Sequence, residues 1–350
     1  MIDTLKLLVP IKDQALLDKI AGTFERIRKE DLKTSEIKFE FHSANIKLGS
    51  YNRSVNLKIT TVPMGLFVEC SLAKYAKGNN VEMIYPHDVP TIADRLYTEL
   101  CAHVQETLPP IATWPIYRLD ICYNWLLRDS DETMQAIDFI NRIDYPRKKK
   151  YIYDTSVMHK GSAYVVKFYL KGPEFKVHDF KELEAQNFDG VYSLQKWAQK
   201  IVRFEVGLKH RYLPQFFGKE EAMISDIADD VAIQDILIHF LGKTFFYINT
   251  ETMTSAEVQQ KLLNAFSKAK ATRLFSFYKN YYFDAELKDL FVHGGMNRST
   301  LYRYKKDLKL AGIGFSLSNP VSGKGILEQL IIPSPSTRFD LPDYPATMPV

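Results

Sequence analysis

Three apolar segments with charge at alternate positions constrain this chain most. They are Ile116–Tyr123 (IYRLDICY), Tyr164–Lys171 (YVVKFYLK) and Ile201–Leu208 (IVRFEVGL). A strand sends successive side chains to opposite faces, so each segment predicts one apolar and one polar face. Tyr117, Leu119, Ile121 and Tyr123 oppose Arg118 and Asp120. Tyr164, Val166, Phe168 and Leu170 oppose Lys167, Tyr169 and Lys171. Val202, Phe204, Val206 and Leu208 oppose Arg203 and Glu205. If the strands share one sheet, two carboxylates, two Arg, two Lys and a Tyr gather on one surface. Such a set suits phosphodiester cleavage by a tyrosine nucleophile.

A phenol near pKa 10 is a weak nucleophile until a base or cations help it ionise. Lys167 and Lys171 flank Tyr169 two residues either side, and their charge is expected to favour phenolate. A divalent ion on Asp120 and Glu205 would neutralise a phosphodiester and polarise its oxygen. Oxygen ligands favour Mg²⁺ or Mn²⁺. Arg118 and Arg203 are expected to clamp phosphate oxygens. The competing interpretation is a set of ordinary cross-strand ion pairs.

Composition narrows the alternatives. The 350 residues carry a net charge of +4, which permits nucleic-acid binding without requiring it. Three cysteines without a CxxC pair argue against a disulfide framework or a zinc site. No His-x-His pair is present. The N-terminus lacks a basic segment before an apolar run, and Ile236–Ile248 is short and broken by His239, Gly242 and Lys243. Neither a signal peptide nor a membrane span is expected, and a cytoplasmic location follows as the expectation.

Along the chain, strands are predicted at Thr4–Val9, Glu36–Phe41, Val55–Thr60 and Leu66–Leu72, and near Tyr151. Helices are predicted at about Asp13–Arg28, Thr91–Thr107 and Asp131–Ile143, the last capped by Ser130 or Asp131. After Tyr212 the pattern turns helical. Thr254 and Glu257 fit a capping box, Arg273–Phe283 reads as a helix, and Asn297–Gly312 reads as a helix with both ends capped. Ser267–Leu310 carries ten Lys or Arg against four acids. Asp284–Leu290, Gly294–Gly295 and the helix after Asn297 resemble a helix–turn–helix. Arg298, Ser299, Thr300, Tyr302 and Arg303 would then meet base edges, with Lys305 and Lys306 on phosphates. A solvated basic face is the plainer alternative.

Several stretches, in order, resemble the filamentous-phage gene II replication initiators and their plasmid relatives, the phage/plasmid II/X replication proteins. They are Met1–Leu7, Val68–Tyr75 with Gly78–Asn80, Tyr117–Asp120, Phe168–Lys171, Val202–Leu213, Arg273–Tyr278 and Arg298–Tyr304. The resemblance implies an α+β, antiparallel-sheet nicking module related to rolling-circle Rep endonucleases over 1–212, with possible halves 1–110 and 111–212. A helical DNA-binding domain over 213–332 and a Pro/Ser-rich tail over 333–350 would follow. It implies nicking at a phage or plasmid origin through Tyr169, a 5′-phosphotyrosine link, and later rejoining of the displaced strand. Tyr169, Lys171, Arg118 and Arg203 would be catalytic, Asp120 and Glu205 would hold the metal, and Lys167 would contact DNA. The third ligand stays open, with Glu69 a candidate. Implied partners are double- and single-stranded origin DNA and a host helicase, polymerase and single-strand-binding protein. Two rivals stand beside this: a non-catalytic DNA-binding regulator, and a metal-dependent phosphodiesterase that uses water.

Overall fold

The computed structural model describes residues 1–30, 37–61, 64–141, 143, 145, 148–245, 255–283 and 297–313. The described residues fall into two compact units, Met1–Phe240 and one beginning at Leu241.

The first unit is built on one antiparallel sheet. Its strands are β1 (Ile2–Val9), β2 (Glu25–Glu30), β3 (Ile37–Leu48), β4 (Arg53–Thr61), β5 (Met64–Ser71), β6 (Ile116–Leu126), β7 (Lys149–Tyr153), β8 (Ser156–Lys160), β9 (Tyr164–Leu170) and β10 (Ile201–Lys209). The order is β2-β3-β4-β5-β1-β6-β10-β9-β8-β7. β1 and β6 pair at the centre, so a single ladder runs through both expected halves. Its helices are α1 (Gln14–Ala21), α2 (Leu72–Lys77), α3 (Val89–Val104), α4 (Ser130–Asn141), α5 (Lys171–Phe175), α6 (Lys181–Ala185), α7 (Val191–Ala198), α8 (Pro214–Phe217) and, over residues 230–240, α9 (Asp230–Phe245). A π-helical turn, Lys176–Phe180, joins α5 to α6.

Alternation along β6, β9 and β10 produces the core. Tyr123 pairs with Phe204, and Phe204 with Phe168, all on one face. Phe168 and Phe204 stack at 4.9 Å, with Trp125 5.9 Å from Phe204. α4 covers this face, resting on β8, β9 and β10 through residues such as Ala136, Ile137 and Ile140. The unit continues past Tyr212 because the ring of Tyr164 packs on Tyr212 and Phe240, at 5.0 and 4.8 Å.

Two local expectations are corrected. The helix after Asp13 ends at Ala21, and the chain becomes β2 at Glu25. Asp13 caps it through Oδ1, and Thr23 Oγ1 bonds back to the Ile20 carbonyl at 2.8 Å, closing the last turn. The cap of α4 is Asp129 rather than Ser130 or Asp131: its Oδ1 accepts from Glu132 N at 2.9 Å.

The second unit contains α10 (Ser255–Ala265), α11 (Lys268–Phe283) and α12 (Arg298–Leu310). Val258, Leu262, Leu274, Phe277, Tyr278 and Leu308 form its core. Lys270 pairs with Asp307 at 2.9 Å. Asn297 caps α12 by accepting from Ser299 N at 3.0 Å, and Gly312 takes φ +67°, the left-handed geometry that closes a helix. Thr254, the segment from Asp284 to Gly295 and the 333–350 tail lie outside the described residues, and with them the expected capping box and the first half of the helix–turn–helix. Among the described residues, no helix is long and apolar enough to cross a membrane.

Candidate active site

The polar faces of β6, β10 and β9 meet in register. One row across the sheet runs Asn124–Arg203–Tyr169–Ser156–Tyr153, and the next runs Cys122–Glu205–Lys167–Met158–Tyr151. The first strands of the chain extend the face, with Thr4 opposite Asp120 and Lys6 opposite both Arg118 and Glu69. An open cleft of about 600 Å³ lies over this surface, lined by Tyr169, Glu205, Asp120, Lys167, Asp3 and Glu174 among others.

Glu205 is the hub. Its Oε2 accepts from the Tyr169 hydroxyl at 2.9 Å, and its Oε1 accepts from Lys167 Nζ at 2.6 Å. Burial and then the Glu205 charge push the Tyr169 phenol well above its ordinary value. This corrects the expectation that the flanking lysines hold a phenolate. Lys167 is engaged by Glu205, and Lys171 points beneath the sheet surface rather than along the cleft. In the resting protein Tyr169 is a neutral donor facing a carboxylate.

Lys171 opens α5 and is fully buried. It donates to Asn80 Oδ1 at 2.6 Å and pairs with Glu174. Burial, and next the neighbouring Arg203, lower its pKa. Arg203 is also fully buried. It donates to Asn124 Oδ1 at 2.7 Å and to the Asn80 carbonyl, with Asp3 at 3.9 Å. Arg203 is therefore walled off from a phosphate in this arrangement, against the expectation of a clamp. The two buried cations form a floor under Tyr169, tied by Gly78–Asn80. Asn79 fixes that loop by accepting from Val81 N and Glu82 N at 3.0 and 3.1 Å.

Asp120 is buried and chelated by Arg118, whose Nε reaches Oδ1 at 2.9 Å and Nη2 reaches Oδ2 at 2.5 Å. Even so, burial and then the Glu205 charge raise the Asp120 carboxyl to about 6, with Arg118 opposing. Arg118 extends to Glu69 Oε1 at 2.9 Å, and Lys6 takes Glu69 Oε2 at 3.2 Å. Glu69 is thus held on the far side of Arg118 and does not line the cleft. Among the described residues, no group of three or more His, Cys, Asp or Glu is arranged as a metal site. The pair Asp120 and Glu205 nevertheless fits a hard dication in charge and donor type, because the two carboxylates repel each other across adjacent strands. Gly207, opposite Asp120, leaves the space: a Cβ there would lie 2.9 Å from Asp120 Oδ1. Gly207→Ala is expected to displace that carboxylate and cost roughly 1–3 kcal/mol, as overpacking does, measured by urea denaturation.

Sequence alternation missed three participants. Asp3 reaches the polar face because the β1–β6 register shifts between Ile2 and Thr4. It is buried, accepts from Ser71 Oγ at 3.1 Å, and is held as a carboxylate: Arg203, Lys171 and Lys74 together outweigh the burial that would raise its pKa. Asn80 and Glu174 come from a loop and a helix, where period-two reasoning has no reach. Of the α12 residues, Ser299, Arg303 and Lys306 are exposed and Thr300 is half-buried. The side chains of Arg298, Tyr302 and Lys305 lie outside the described residues.

The antiparallel sheet thus presents a tyrosine–carboxylate pair in an open polar cleft. Residues 1–231 match the family model for the N-terminal region of the phage gene II replication-associated protein. That match spans well over half of the chain, and the chain belongs to this family. A search of curated proteins gave no match. Among solved structures, a rolling-circle replication initiator protein from Geobacillus stearothermophilus aligns with 13% identity over 70% of this chain and 84% of that one, at a TM-score of 0.32.

Proposed function

We propose that this chain initiates rolling-circle replication by nicking one strand of a phage or plasmid origin through Tyr169. The observation that carries the proposal is the 2.9 Å hydrogen bond from the Tyr169 hydroxyl to Glu205 in the open cleft. A high-pKa phenol needs a base in contact with it, and Glu205 is that base. As Glu205 takes the proton, the phenolate oxygen attacks phosphorus and the bond from phosphorus to the 3′ oxygen breaks. The 3′ oxygen leaves and takes a proton. The 5′ phosphate stays on Tyr169 as an ester, so a later 3′ hydroxyl can reverse the step and rejoin the displaced strand. The buried charges of Lys171 and Arg203 lie beneath the ring and stabilise the negative charge that develops there.

Mg²⁺ or Mn²⁺, held by Asp120 and Glu205, would neutralise the phosphodiester and polarise its oxygen. Lys167, released from Glu205, is placed to meet a phosphate. The helical second unit, with exposed Arg303 and Lys306 on α12, would bind origin duplex. Once the strand is open, a host helicase, polymerase and single-strand-binding protein are the partners such an initiator requires.

The test is to incubate the protein with origin DNA labelled at the cut strand, with Mg²⁺ or Mn²⁺, and to look for a protease-sensitive adduct at the 5′ end. Wild type is expected to form it and Tyr169→Phe to form none while still binding the DNA. Cleavage without an adduct means that water is the nucleophile. Binding without cleavage by wild type means a regulator. An adduct surviving in Tyr169→Phe moves the nucleophile to another tyrosine.

A further inference from the structure

The last two strands at one edge of the sheet, β8 and β7, form a hairpin that the nicking chemistry does not use. Its turn is Asp154–Thr155, and Thr155 is bound to the strand of Tyr169 through the Leu170 N–H to its carbonyl at 2.9 Å. Tyr153 pairs with Ser156, and Ser156 pairs with Tyr169. In-register partners point to the same face, so Tyr153 stands on the Tyr169 face two strand spacings away, about 10 Å. Tyr153 is 52% exposed and lines the cleft. An aromatic ring of that size left in water, at the rim of a polar cleft, has no role in the core.

The same face continues with cations. Lys149 pairs with Lys160, and both are exposed. Lys149 Nζ lies 4.9 Å from the centre of the Tyr151 ring. The face therefore presents Tyr153, Tyr151, Lys149 and Lys160 outward from Tyr169, and residues 148–160 carry four lysines against one acid, Asp154. Aromatic faces interleaved with cations fit one ligand chemistry, an unpaired nucleic-acid strand, whose bases expose π-faces and whose phosphates follow the cations. A closed duplex hides its base faces and has no use for an exposed ring.

We propose that the β7–β8 hairpin is the platform for the unpaired DNA strand flanking the scissile phosphate, with Tyr153 stacking on a base and Lys149 and Lys160 meeting phosphates. This rests on the nicking proposal for its substrate but concerns other residues, at the outer end of the same face. It also supplies a reason for the edge strand of the sheet to carry aromatic residues.

The experiment measures binding alone, in the full chain bearing Tyr169→Phe, so that cleavage does not intrude. That parent and its Tyr153→Ala, Tyr153→Phe and Tyr153→Trp derivatives are titrated with short oligo-dT and with a blunt duplex. The Ala change is expected to weaken oligo-dT binding by about 5- to 100-fold. The Phe change should keep it near the parent, and duplex affinity should stay level throughout. Emission from the introduced Trp, taken as a difference against the Phe variant, should be quenched by oligo-dT, which a merely structural residue would not produce. Lys149→Gln with Lys160→Gln should lower the salt slope of log K by about 1.4, two single-strand phosphates' worth. Equal oligo-dT affinity in parent and Ala variant, equal losses on both DNAs, or an unquenched Trp at saturation overturns the platform and leaves the nicking proposal standing. A parent that fails to bind oligo-dT at all also overturns the platform, whereas the nicking proposal falls only if wild type forms no adduct on origin DNA.

Discussion

Glu205→Gln is expected to slow formation of the DNA–tyrosine adduct by about 10²- to 10⁴-fold, the range associated with a general base, while leaving DNA affinity within a few fold. Glu205 accepts two hydrogen bonds in the resting site, from Lys167 and from Tyr169. Gln has one acceptor oxygen and one donor amide. The Lys167 ammonium can only donate, so it captures the oxygen and turns the amide toward the phenol. Tyr169 then receives a hydrogen bond instead of giving one, and no group in contact can take its proton. The shape of the side chain is unchanged, which separates this effect from a packing defect. Single-turnover adduct formation on labelled origin DNA measures the rate, and a fluorescence titration measures affinity. A Gln variant that forms the adduct at the wild-type rate would show that Glu205 only positions the ring.

The parts of this site that were readable in the sequence are those governed by a local period. Arg118, Asp120, Lys167, Tyr169, Arg203 and Glu205 sit on the faces that alternation assigns to them, because a strand offers only two directions. Alternation does not carry depth or pairing. Arg203 and Glu205 have the same parity, yet Arg203 is buried under Asn80 and Asp3 while Glu205 faces the cleft. That difference comes from the loop at Gly78–Asn80, more than a hundred residues away. Asp3 reaches the site through a register shift, which depends on how β1 meets β6 rather than on either strand alone. Lys171 has the parity of Tyr169, but the chain turns into α5 at that residue and sends the ammonium inward. The overlong first helix failed for a similar reason. Phe24 and Ile27 continue the apolar spacing, yet the chain leaves the helix at Gly22 and enters β2 at Glu25. The charge pattern alone thus locates the surface, and long-range register decides which charges a ligand meets.

The second large effect concerns stability and has the opposite sign to the loss of activity. Burial and the Glu205 charge raise the Asp120 carboxyl from an ordinary value near 3.8 to about 6. Between those values the folded protein holds a proton that the unfolded chain has released, so stability falls as pH rises through that window and stays low above it. Asp120→Asn cannot ionise and escapes the loss. A shift of about two units corresponds to roughly 3 kcal/mol, and loss of the Arg118 chelate offsets part of it. The Asn variant is therefore expected to exceed wild type by about 1–2 kcal/mol at pH 7.5, with the gap closing near pH 4. A dication held by Asp120 and Glu205, as proposed, would reverse the ordering. It favours the ionised pair, so Mn²⁺ should raise the Tm of wild type in step with its concentration, by up to about 2.7 kcal/mol of stability at a hundredfold excess over Kd, and leave the Asn variant unmoved. Thermal melts of both proteins across pH, with and without Mn²⁺, measure all four quantities. Equal pH slopes in the two proteins would remove Asp120 as the repelled carboxylate. An equal response to Mn²⁺ would move the metal elsewhere. Obtained together with loss of adduct formation, the expected pattern would mean that the sheet keeps a destabilising pair of carboxylates because the cation needs both.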